Sequence, residues 1–153
     1  MFAAVDPTGP AATAAMSAYF AELDARFPGG FDATGALGAG AAAMGPPSGV
    51  FVLAHPVGDP AAVAGCGGIQ RHDDTTGEIK RMWVAPGFRG AGLGRALLAE
   101  LERRCADLGY THVVLDTNAT LAEAIAMYAR AGYAPIERYN DNPYAHHWFA
   151  KRL

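Results

Sequence analysis

The sequence predicts an α/β fold: a mixed, mostly antiparallel sheet of six or seven strands, with one parallel β-α-β unit at its centre and about four flanking helices. Three observations predict it. An apolar, β-favouring run, Ile79, Met82, Trp83 and Val84, stops at Ala85-Pro86-Gly87 and is followed by the glycine-rich turn Arg89-Gly90-Ala91-Gly92-Leu93-Gly94-Arg95. Behind the turn, Leu93, Leu97, Leu101 and Leu108 recur at spacings of four, four and seven, one buried helical face. The next apolar run, His112-Val113-Val114-Leu115, lies far enough on for a parallel crossover. Upstream, two strand-like runs, 49–55 and 62–70, flank Gly58-Asp59-Pro60 and predict an antiparallel hairpin.

Along the chain, residues 2–5 form a short first strand. Pro10 opens a helix with Ala15, Met16, Tyr19, Phe20, Leu23 and Phe27 on one stripe, ended by Pro28-Gly29-Gly30. Residues 31–48 are rich in Ala and Gly and short of large apolar side chains, so only a weak helix is expected, near 36–44. Asp73-Asp74-Thr75-Thr76-Gly77 is a turn into the strand that Glu78 opens. Thr117-Asn118 precede a helix over 119–131, on which Leu121, Ala124, Ile125 and Tyr128 share a face, with Gly132 closing it. A strand at 133–138, a polar loop Asn140-Asp141-Asn142-Pro143 and a last strand at 146–151 complete the chain. No internal repeat is present.

At 153 residues and 51% hydrophobic composition the chain suits a single domain over 1–153. A net charge of −3 and a pI near 5.9 argue against a general nucleic-acid binder. Cys66 and Cys105 are far apart, make no Cys-x-x-Cys pair and read as buried thiols. His146 and His147 are adjacent on a predicted strand and face opposite ways, so no metal site is expected. The N-terminus lacks a basic leader region, and no apolar run approaches the roughly 20 residues that cross a bilayer, so the expectation is a cytoplasmic protein without a membrane partner. Ten arginines against two lysines, with abundant Ala, Gly and Pro, mark a coding sequence rich in G and C, which bears on source rather than function.

The glycine turn carries the chemistry. Glycines at a strand-to-helix junction reach positive φ and let a ligand approach the main chain, and the first helical turn offers unpaired N–H groups at the positive end of the dipole. From Ile79 to Ala99 there are four basic residues, Lys80, Arg81, Arg89 and Arg95, and no acidic one, which favours a polyphosphate. A Walker loop would need Ser or Thr after the basic residue, where Ala96 stands. A dinucleotide fingerprint would need Gly-x-Gly-x-x-Gly, whereas the spacing here is Gly90-x-Gly92-x-Gly94.

What remains, Arg-x-x-Gly-x-Gly after Met82-Trp83-Val84-Ala85-Pro86 and before Leu97-Leu98, resembles the acetyl-CoA signature of the Gcn5-related N-acetyltransferase (GNAT) superfamily. The resemblance covers at least 78–133 and implies that the parallel strands splay around acetyl-CoA. It implies main-chain contacts from Met82, Trp83 and Val84 to the pantetheine arm, and pyrophosphate contacts from the N–H groups of Arg89, Gly90, Ala91, Gly92, Leu93, Gly94 and Arg95. Met127-Tyr128-Ala129-Arg130-Ala131-Gly132-Tyr133 is similar to the family's Leu-Tyr-x-x-x-Gly-Phe segment, which makes Tyr128 the candidate acid for the leaving thiolate. Seven residues earlier, where many members carry asparagine, this chain has Leu121, and Asn118 is the candidate replacement. Glu78 is the candidate base for the incoming amine, its partial burial expected to raise its pKa; the plainer reading is an exposed strand-end carboxylate paired with Lys80. His72 and Asp73, on the adjoining turn, are weaker candidates. Cys66 has no histidine at a pairing distance in sequence, so direct transfer is expected rather than an acyl-enzyme. The implied activity is acetyl transfer to a primary amine of a small molecule or peptide, by a monomer or homodimer without metal. A non-catalytic acyl-CoA sensor is the alternative, and Leu121 is the feature in its favour.

Overall fold

The computed structural model describes residues 1–153. One seven-stranded sheet runs in the order β1-β2-β3-β4-β5-β7-β6, from Phe2–Val5 (β1), Val50–Ala54 (β2), Gly65–Arg71 (β3), Thr76–Val84 (β4), His112–Thr117 (β5), Ala134–Pro135 (β6) and His147–Arg152 (β7). Every pairing is antiparallel except β4 with β5. The helices are Pro10–Arg26 (α1), Ala39–Ala42 (α2), Leu93–Asp107 (α3) and Ala122–Arg130 (α4).

Each face of the sheet buries its own apolar set, as alternation along the strands requires. Val52, Ile69, Ile79, Val113, Leu115 and Phe149 pack with Leu97, Leu98 and Leu101 of α3 and Tyr128 of α4. Phe51, Leu53 and Cys66 pack on the opposite face against Met16, Phe20 and Leu23 of α1 and Met44 beyond α2. Gly67 of β3 lets Leu101 sit flat on the sheet, since a Cβ there would stand 2.7 Å from Leu101 Cδ1.

Several expectations are corrected at the edges of elements. The weak helix at 36–44 shrinks to four residues, because Gly35 and Gly38 take positive φ and break it. The helix after Asn118 starts at Ala122, because Asn118 and Leu121 form a turn ahead of it. The strand at 133–138 contracts to Ala134–Pro135, and His146 falls outside β7, its Nδ1 accepting from the Ala119 N–H at 3.0 Å. Thr76, two residues before Glu78, begins β4.

Two irregularities in β4 open the middle of the sheet. Between Gly68↔Lys80 and Cys66↔Trp83, β3 advances two residues while β4 advances three; Arg81 lies in this bulge at φ 57°. On the other edge, β4 pairs with β5 only from Thr76↔His112 to Glu78↔Val114. Beyond that point β4 stays bonded to β3 and β5 stays bonded to β7, so the two central strands part and leave a gap. No helix is long and apolar enough to cross a membrane.

Candidate active site

The glycine turn closes one end of the gap. Gly90 and Gly92 have φ of 87° and 85°, and a Cβ at either would meet no protein atom within 4 Å. Gly92 caps α3, whose first intrahelical bond runs from Ala96 N–H to Gly92 O at 3.1 Å. The N–H groups of Leu93, Gly94 and Arg95 therefore stand at the open first turn. Gly94 serves packing instead: a Cβ there would be 3.3 Å from Met127 Sδ of α4.

The cations divide among several tasks, which the local count of basic residues hid. Arg89 Nη2 lies 2.6 and 2.7 Å from the two carboxylate oxygens of Glu22 on α1, and its Nε donates to Val84 O at 2.9 Å. Glu22 also accepts from Trp83 Nε1 at 3.1 Å and from Arg26 at 3.3 Å. Burial works to raise its pKa, but these hydrogen bonds and the Arg89 charge outweigh it and hold the carboxyl below its ordinary value. Lys80 sits 3.6 Å from Glu78, and Arg81 turns under the sheet with its guanidinium carbon 5.4 Å from the Phe20 ring centre. Arg95, exposed at the rim of the turn, has no ion-pair partner.

A cavity of about 110 Å³ occupies the gap and extends beneath α1. Met82, Tyr128 and Ala124 line its α4 side; Phe20, Phe27, Phe31 and Tyr144 supply an aromatic wall; Arg81 and Asp116 bring charge. Tyr128 is buried, and its hydroxyl meets only the Met82 thioether, at 3.8 Å. Burial and then the Asp116 charge push its pKa well above the ordinary phenol value.

Glu78 is buried, at 5% exposure, rather than an exposed strand end. Its Oε1 accepts from Gln70 Nε2 at 3.0 Å and its Oε2 from Tyr139 OH at 2.7 Å, with Lys80 as its ion-pair partner. Burial and the Glu78 charge push the Tyr139 pKa far up. Asn118 is buried and engaged at both ends of its amide: Nδ2 donates to Tyr144 O at 2.6 Å, and Oδ1 accepts from Thr120 N and Oγ1 at 2.9 and 2.8 Å. Leu121 lines the cavity. His72 is stacked edge-on against Tyr139, and Asp73 is tied into its own turn by Thr75.

Sequence reading missed Asp116 and left the polar loop with Asn140 and Asn142 without a partner. Asp116 Oδ2 accepts from Asn140 Nδ2 at 2.6 Å and Asn142 Nδ2 at 3.4 Å, and Asn140 Oδ1 accepts from Trp148 Nε1 at 3.0 Å. The signal was present in the polar residues of that loop, but nothing in the sequence said which strand they would meet. No group of three or more His, Cys, Asp and Glu side chains is placed to hold a metal.

A split sheet with a glycine-rich helix N-terminus at its mouth defines a class of α/β proteins in which two diverging strands can seat an anionic ligand. The profile of the Acetyltransferase (GNAT) family matches residues 16–133, and the chain belongs to that family. An uncharacterized N-acetyltransferase of Schizosaccharomyces pombe is 34% identical over 112 residues, 65% of this chain and 60% of that protein, so the chain spans about 60% of that relative's length. A GNAT acetyltransferase of Staphylococcus aureus superposes over 100% of this chain and 99% of its own with a TM-score of 0.82 at 17% identity. An acetyltransferase of Elizabethkingia anophelis, determined with acetyl-CoA bound, superposes over 69% of this chain and 77% of its own, TM-score 0.57, at 21% identity. These two likenesses are likenesses of fold.

Both thiols are poor nucleophiles here. Burial pushes Cys66 up to about 12 and Cys105 up to about 11, from 9.0. Folding therefore retains protons that the unfolded chain releases, and the associated stability is full below pH 9.0 and drains away as pH rises toward 11 and 12. Iodoacetamide at pH 8 is expected to leave both cysteines of the folded protein unmodified while labelling both in denaturant. Mass spectrometry showing rapid labelling of folded Cys66 would contradict this.

Proposed function

We propose that the chain transfers an acetyl group from acetyl-CoA directly to a primary amine of a small molecule or peptide. The gap between β4 and β5, with the glycine turn at its mouth and Tyr128 beside Met82 within it, carries the reading. The edge of β4 that β5 leaves open along Met82, Trp83 and Val84 matches the amides of a pantetheine arm, as an added strand would, through groups other than the Val84 carbonyl, which Arg89 Nε already occupies. The N–H groups of Arg89, Gly90, Ala91, Gly92, Leu93, Gly94 and Arg95 hold the pyrophosphate, with Arg95 as the free cation, and Glu22 keeps Arg89 clamped beside Val84. Asn118 acts at one remove, fixing Tyr144 and the turn that starts α4 rather than reaching the donor with a free amide. The acetyl-CoA held by the Elizabethkingia protein supports the same donor here.

An ammonium has no lone pair, so the acceptor first gives up a proton. The carboxylate of Glu78 takes it through water, since both oxygens already accept protein hydrogen bonds. The amine nitrogen attacks the thioester carbon, and the resulting oxyanion is met by the main-chain N–H near Val84. As the C–S bond breaks, the sulfur takes up the electron pair and Tyr128 donates its proton to it. Amide and thiol result, and no acyl-enzyme forms.

Three measurements test these assignments. Gly92→Asp puts a side chain and a negative charge beside the phosphates at a backbone angle that costs about 1 kcal/mol for a non-glycine residue; calorimetry is expected to show CoA affinity lowered by about 10² or more, with the fold retained by circular dichroism. Unchanged affinity would remove the cradle. Glu78→Gln is expected to abolish the acidic limb of the rate profile. If Asp116→Asn does so instead, the base is Asp116.

Tyr128→Phe removes one hydroxyl and almost no volume, and turnover is expected to fall about 10²- to 10⁴-fold with donor affinity unchanged. Full turnover in that variant would make Tyr128 a core residue only. A wild-type protein that binds acetyl-CoA but acetylates no amine in a broad panel would instead support the sensor reading.

A further inference from the structure

The bulge in β4 leaves one cation without an anion. Arg81 appears in none of the chain's ion pairs, and its Nε is buried with no hydrogen-bond partner. Such a donor is costly to leave unmet, and Arg81 carries a second cost in its left-handed backbone. Both costs fall in the wall of the cavity. The Phe20 ring covers one face of the planar guanidinium, which fixes the group while leaving its N–H edge for a planar, two-oxygen anion. The neighbouring Lys80 is already matched by Glu78.

The same cavity holds an anion in the converse state. Asp116 Oδ2 takes two asparagine amides, while Oδ1 has no donor, and no cation of the chain lies within ion-pair distance of it. Arg81 and Asp116 therefore line one space, each charged, and neither neutralises the other. A ligand that satisfies both carries both charges.

Resting on the acetyl-transfer reading, we propose that the acceptor is a free amino acid with an apolar side chain. Its carboxylate lies in the fork of Arg81, its amine at the Asp116 end beside Met82 and Tyr128, and its side chain against Phe27, Phe31 and Tyr144. A peptide or simple alkylamine lacks the carboxylate next to the amine and leaves Arg81 unmet, which is where the selectivity arises.

Binding is measured by calorimetry on the CoA-saturated protein with matched sets: leucine, methionine and phenylalanine, their amides, and their decarboxylated amines. The amino acids are expected to bind about 10²-fold more tightly than their amides and amines. Arg81→Gln is expected to bring the amino acids down to the level of the amines while leaving amine binding within about threefold. Arg81→Lys is expected to restore only part of the difference, because an ammonium lacks the fork. Melting temperatures of both variants report on folding. Equal wild-type binding of amino acid and amine, equal weakening of all three classes by Arg81→Gln, or binding of none of the panel would each overturn the proposal. Because the readout is binding, a clear carboxylate preference without acetyl transfer would refute the transfer reading and leave the Arg81 site standing; transfer to amines without that preference would do the reverse.

Discussion

The separation of β4 from β5 after Glu78 and Val114 is the constraint on which the rest of this structure depends. Two parallel strands that stop pairing in the middle of a sheet expose main-chain donors and acceptors where they would ordinarily be matched. Neither strand is free to close the gap. β3 holds β4 as far as Val84, and β7 holds β5 as far as Thr117, so the opening is stiff and belongs to the sheet rather than to mobile loops. The bulge at Arg81 supports the divergence by adding a residue to β4 alone, which increases local twist and bends the strand. A ligand with its own amides fits such an opening better than water does, because it can pair along the strand without giving up order.

The sheet also separates the two halves of the proposed chemistry. α3 and α4 pack on one face, where Tyr128 and Met82 meet; α1 and the loop through Asn140 and Asn142 cover the other, where Arg81, Glu78 and Asp116 lie. Glu22 ties the halves together. It joins Arg89 and Trp83 to α1, and Arg26, its neighbour one turn on, reaches Glu123 of α4 at 2.9 Å. These pairs are partly exposed, so each contributes little alone, but the two-oxygen grip on Arg89 has the directionality that fixes a loop.

What the sequence made legible was local. Leucine periodicity in α3, the Gly-Asp-Pro turn and the run from Val113 to Leu115 each specify their own element, and the crossover length fixes the parallel pair. Contacts between distant segments were not legible. Arg89 finds its counter-charge 67 residues away on α1, and no reading of the basic bias around the turn could include it. Burial of Glu78 depends on Tyr139 covering it from 61 residues downstream. The bulge gave no signal at all, since Lys80-Arg81-Met82 contains neither glycine nor proline; tertiary packing imposes positive φ on an arginine that local preference would leave extended. Asp116 could be read as the end of a strand, but its role in the cavity appears only once the splay turns that end inward.

The environment of Tyr128 bears on how a tyrosine could serve as an acid in the proposed transfer. In water a phenol is a weaker acid than a thiol, so protonating a free thiolate from tyrosine is unfavourable. Burial raises the Tyr128 pKa further, which at first sight makes matters worse. Yet the sulfur would develop its charge in the same pocket, against Met82 and beside the same hydroxyl, and burial and the nearby Asp116 charge disfavour a thiolate for the reason they disfavour a phenolate. The two proton affinities therefore rise together, and the difference between them changes less than either value alone. Burial also keeps the hydroxyl protonated across any working pH, so the acid would impose no limb of its own on the rate profile. The pH signature of the proposed transfer would then be a single titrating limb on the acidic side, set by the group that receives the amine proton.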